Sequence, residues 1–120
     1  MDVLIKKIIA LGVPGLIFVM IVILSGYKGA AAITFALAAL GGPFGMKAGL
    51  VVLGLTGLLS YYLAEKGSEV VLTMIVVEFL KTKTPEEIIN EVNRMWISKS
   101  LKLKIVEKIQ KIANLKKAEA

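Results

Sequence analysis

The sequence predicts an all-α fold: a small helical membrane protein with two transmembrane helices, a broken Gly/Ala-rich hairpin and short C-terminal amphipathic helices. Three observations predict it. Residues 8–27 carry no charge, and at about 1.5 Å rise per residue they cover about 30 Å, the thickness of the hydrocarbon layer. Residues 29–64 form a second apolar run, whose one charge is Lys47. Residues 65–120 are different material, with 11 Lys or Arg and 8 Glu. A greasy half joined to a charged half divides the chain into a membrane-embedded helical region, residues 1–67, and an interfacial or cytosolic helical region, residues 68–120.

At 120 residues the chain is one domain at most. Its hydrophobic share of 57% and mean hydropathy of +0.79 exceed the usual balance for a soluble domain. The net charge of +6 attracts phosphate, on lipid or on nucleic acid. The apolar first half points to an anionic lipid bilayer. Nucleic acid is disfavoured, because Arg94 is the sole arginine and no aromatics interleave the lysines. Without Cys there are no disulfides or thiolate metal sites, and without His there is no histidine acid–base catalysis.

Along the chain, Lys6-Lys7 precede the first span, which is longer than the ~7–15-residue apolar core of a signal peptide. Gly12, Pro14 and Gly15 predict a kink near its start. Ser25-Gly26-Tyr27-Lys28-Gly29 reads as an interfacial turn, with Tyr27 and Lys28 at headgroup depth. Residues 30–40 are helical but reach only about 17 Å, too short to cross alone. Gly41-Gly42-Pro43-Phe44-Gly45 stops that helix. A second long helix follows over about residues 44–66, with uncharged residues 48–64 as its spanning part. Tyr61 and Tyr62 close it as an aromatic belt.

Gly67-Ser68 ends that helix and caps the next, with Glu69 in its first turn. Residues 68–80 read as a short packed or interfacial helix, and their β-branched content keeps a strand in play. Lys81-Thr82-Lys83 is a linker. Thr84-Pro85-Glu86-Glu87 is a helix start, with Thr84 as cap, Pro85 at the first helical position and Glu87 completing a capping box. This helix runs to about Trp96 and puts Ile88, Ile89, Val92 and Trp96 on one face. A final helix over about residues 98–116 places Leu101, Ile105, Ile109 and Ile112 together. Lys99, Lys102, Lys108 and Lys111 are assigned to its other face, as a lipid-surface patch.

Small residues carry the most suggestive pattern. Gly41, Gly45 and Gly49 recur every fourth position, and Thr56 and Ser60 extend the stripe from Gly45 and Gly49. Ala30, Thr34, Ala38 and Gly41 form a similar stripe before it. Such stripes let helix backbones approach closely in lipid, within one chain or between copies. The pattern resembles glycine-zipper membrane proteins, phage holins and hairpin-inserting pore toxins, a likeness that implies self-association in a bilayer.

Lys47 costs roughly 2.5–3.5 kcal/mol at the bilayer centre, so it belongs at an interface or a pore mouth, together with Lys28. The positive-inside rule then places both termini in the cytoplasm. No motif calls for a cofactor or a catalytic site: the stretch Gly41–Lys47 lacks the spacing and the Ser/Thr of a phosphate loop. The expected function is a small self-associating membrane protein that permeabilises or forms a pore in a bilayer. Two alternatives stand beside it. One is a non-conducting anchor or adaptor that binds a protein partner through residues 84–117. The other is a soluble helical oligomer with a buried apolar hairpin.

Overall fold

In the computed structural model, residues 2–40 and 49–119 are described, with side chains for 2–39 and 55–119. Every described element is an α-helix: α1 (Asp2–Leu11), α2 (Val13–Leu24), α3 (Ala30–Leu40), α4 (Gly49–Lys66), α5 (Ser68–Leu80), α6 (Pro85–Arg94) and α7 (Lys99–Glu119). Residues 68–80 are therefore helix. Their β-branched side chains pack in a helical register that buries Val71, Leu72, Ile75, Val76 and Phe79.

The organising element is α2. It contains no charged or hydroxyl-bearing side chain (VPGLIFVMIVIL), and a helix apolar all round must be surrounded, by protein or by lipid. Here its own chain surrounds it: α1, α3, α5, α6 and α7 all touch it. Residues 16–21 retain no accessible surface. Each such side chain contributes about 1.5–3 kcal/mol on leaving water. Ile88 and Val92 of α6 and Ile105, Ile109 and Ile112 of α7 join the same core. The radius of gyration, 13.3 Å, matches the ~14 Å of a packed chain of this length.

The kink predicted near Gly12 is a sharp corner. The axes of α1 and α2 lie 120° apart, so residues 8–24 are two helices and not one. Gly12 sits at φ 74°, ψ −161°, a conformation that strains side-chain-bearing residues. Its carbonyl accepts from the Gly15 and Leu16 amides at 3.0 and 3.2 Å and so starts α2, where Pro14 fits the first turn. Gly15 allows the close approach: a Cβ there would lie 2.6 Å from that of Leu11 and 3.0 Å from the Ile8 carbonyl oxygen. Among the described residues no single helix is long and apolar enough to cross a membrane, whereas α1 and α2 together meet that length and composition.

Ser25 ends α2. Its amide donates to the Ile21 carbonyl at 2.9 Å and its hydroxyl to that of Val22 at 2.9 Å, which satisfies carbonyls otherwise orphaned at a helix end. Gly67, at φ 87°, turns α4 into α5. The second long helix is described from Gly49 onward, and its expected beginning lies outside the described residues.

The α6 start is built as its residues require. Thr84 Oγ1 accepts from the Glu87 amide at 3.2 Å, and the Glu87 carboxylate accepts from the Thr84 amide at 3.1 Å. Thr84→Ala is expected to cost about 1 kcal/mol, measured by chemical denaturation. Accepting from the Thr84 backbone amide, and then from its hydroxyl, holds the Glu87 carboxyl below its usual range. A lowered folded-state value means stability present above the ordinary pKa near 4.5 and lost as pH falls through the folded value. Glu87→Gln should flatten that acid-side loss. An unchanged acid slope would show that this carboxylate does not contribute.

α6 ends at Arg94, short of Trp96. The chain turns extended at Met95, so Trp96 leaves the face that holds Ile88 and Val92 and stands 96% exposed.

Candidate membrane-contact surfaces

Of the small-residue stripe, Gly41, Gly45 and the nearby Lys47 lie outside the described residues. Gly49 opens α4. Thr56 is half-buried and Ser60 exposed. Ser60 meets a residue from elsewhere in the sequence: with Lys28 it lines a cavity of about 460 Å³ among the ends of α2 and α4 and the start of α3. Tyr27, Ala32, Leu59 and Ser68 are also in that wall. Tyr27 stacks tilted on Phe35, ring centres 5.3 Å apart, and fixes the turn that carries Lys28. The structure thus brings two predicted site residues, Lys28 and Ser60, to one cavity.

The tail lysines do not share one face. At about 100° per residue, Lys102 and Lys108 lie about 120° apart, on opposite flanks of the stripe formed by Ile105, Ile109 and Ile112. Both are used within the chain. Lys108 Nζ bonds both carboxylate oxygens of Glu69 at 2.8 Å, tying α7 to α5. Lys102 Nζ donates to the Asn93 carbonyl at 2.9 Å, a cation on the C-terminal end of α6. Lys99 and Lys111 remain exposed. Long lysines beside an apolar stripe reach across it, so two of the four are engaged within the chain.

A larger cavity, about 950 Å³, opens between the α5–α6 linker and the last turns of α7, with Lys81, Lys83, Lys116, Lys117, Glu86 and Glu87 in its wall. Lys81 pairs with Glu78 at 3.0 Å and Lys83 with Glu91 at 3.5 Å, so much of its charge is matched. Among the described residues no cluster of three or more His, Cys, Asp or Glu comes together. None of the described buried side chains is polar or charged.

Sequence reasoning missed the α6–α7 corner as a surface. Helical spacing groups Trp96 with Ile88 and Val92, but the helix ends two residues before it. Its neighbours Met95 and Ile97 are half-buried against the core. The available signal was the Ser98 cap just downstream, whose hydroxyl accepts from the Leu101 amide at 3.3 Å. Comparison with protein-family models, curated proteins and solved structures gives no match.

Proposed function

We propose that this chain is a small self-associating membrane protein that permeabilises a bilayer, of the holin, toxin or effector kind. In this reading its first apolar helix is sheathed by the chain until it meets lipid. One observation carries it: α1 and α2 together have the length and composition of a span, and a break of one glycine at positive φ, followed by Pro14, separates them. Alone, α2 reaches only about 18 Å. Made continuous with the end of α1, from Ile8 to Leu24, it reaches about 25 Å, close to the hydrocarbon thickness.

In lipid, residues 1–67 form the embedded region and residues 68–120 stay at the interface or in the cytosol, with Lys6-Lys7 and both termini on the cytoplasmic side. Gly41, Gly45, Gly49, Thr56 and Ser60 make subunit contacts, and Lys28 and Lys47 sit at the pore mouth. The test is release of a trapped dye from vesicles, read beside oligomer size in detergent. Wild type should release dye, and Gly49→Leu should yield smaller oligomers and less release. Vesicles that keep their dye, with oligomers unaltered by Gly49→Leu, would remove the proposal. Because the chain has no cysteine, single cysteines at Ser25, Ser60 and Ser98 report sidedness without background.

A second reading is favoured by the enclosure of α2: a soluble helical oligomer with a buried apolar hairpin. Purification without detergent, release by a carbonate wash and inert behaviour on vesicles would select it.

A further inference from the structure

The corner between α6 and α7 combines three properties found together nowhere else among the described residues. It carries the only tryptophan of the chain, 96% exposed. Residues 92–106 contain Arg94, Lys99, Lys102 and Lys104 and no acidic side chain. Leu103, one turn beyond Lys99 on the same side of α7, is 64% exposed.

The corner is also built, not loose. The Met95 amide donates to the Val92 carbonyl at 3.1 Å, Ser98 caps α7, and the Lys102 ammonium clamps the Asn93 carbonyl. Met95 and Ile97 pack inward, so the indole between them is held outward by the backbone. A water-facing indole with Arg94 and Lys99 two and three residues away in sequence has little to gain within this chain. It gains at a headgroup layer, where its apolar ring and its N–H are both accommodated. A nucleic-acid groove would use successive aromatics for stacking, and here there is one.

We propose that this corner docks on an anionic lipid surface, with Trp96 and Leu103 entering the headgroup region and Arg94 and Lys99 meeting acidic headgroups. The proposal rests on the membrane reading above for the identity of its partner, but not on pore formation.

The full-length chain is mixed with dye-filled vesicles of phosphatidylcholine, or of phosphatidylcholine with phosphatidylglycerol, and Trp96 emission and dye release are recorded together. With the acidic vesicles, emission should shift to the blue and resist quenching by aqueous acrylamide, less so at high salt. Arg94→Gln and Lys99→Gln should each weaken binding about fivefold. Trp96→Ala, followed by vesicle co-flotation and checked for unchanged helical circular dichroism, should weaken it about tenfold. Dye release while Trp96 stays quenchable overturns the docking and leaves permeabilisation standing. A protected Trp96 without release supports the docking and removes permeabilisation. A shift caused by a single-stranded oligonucleotide and not by vesicles overturns the lipid assignment.

Discussion

Phe18→Ala is expected to lower the stability of the folded chain by about 3–5 kcal/mol, as a shift in the denaturation midpoint followed by helical circular dichroism. Phe18 has no accessible surface and sits mid-way along a helix that five others touch. Removing its ring takes away the transfer free energy of a large side chain and leaves a void that no single neighbour can collapse into. Against a total of roughly 5–15 kcal/mol for a domain, that is a large share. Leu103→Ala, at an exposed site on α7, is the control and should change stability by less than about 0.5 kcal/mol. If the two variants shift the midpoint equally, α2 is not the core of the folded state.

The second large effect is expected at the α1–α2 corner. Gly12→Ala meets no steric obstacle, since the nearest atom to its Cβ would be Pro14 Cδ at 3.7 Å. It meets a conformational one, because φ 74° with ψ −161° is strained by about 1–3 kcal/mol for alanine. In a continuous α1–α2 helix the same alanine is favoured over glycine by about 1 kcal/mol. The two terms act in one direction and shift the balance from bent to straight by about 2–4 kcal/mol. Dye release per molecule should therefore rise while the folded state weakens modestly. Phe18→Ala separates this from simple loosening: it weakens the fold more, yet does nothing for a straight helix. Release that follows stability loss alone across both variants would show that straightening at Gly12 is not the gate.

What the chain disclosed in advance follows the range of the forces involved. The Thr84–Glu87 capping box was legible because it is made between residues three apart. The stop at Gly67 was legible because a single residue carries it. The surroundings of α2 were not legible, since an all-apolar helix has the same sequence signature in lipid and in a protein core. Gly12 and Pro14 announced a break but not its 120°, which depends on what α2 packs against. Lys108 found its carboxylate on α5, 39 residues earlier, a distance over which helical spacing says nothing. At the candidate site, Lys28 and Ser60 were each picked out singly, and their shared cavity is a product of the tertiary fold.

The order of the helices in the chain has a consequence for synthesis. α2 is made before much of its cover, α5, α6 and α7. At about 5–20 residues per second, the greasiest segment waits several seconds on the ribosome before its partners emerge. On the membrane reading proposed above, a bilayer competes during that interval with the unfinished polypeptide for the same surface, and the outcome depends on elongation rate. Slowing translation between the α2 and α7 codons should raise the membrane-associated fraction of newly made protein.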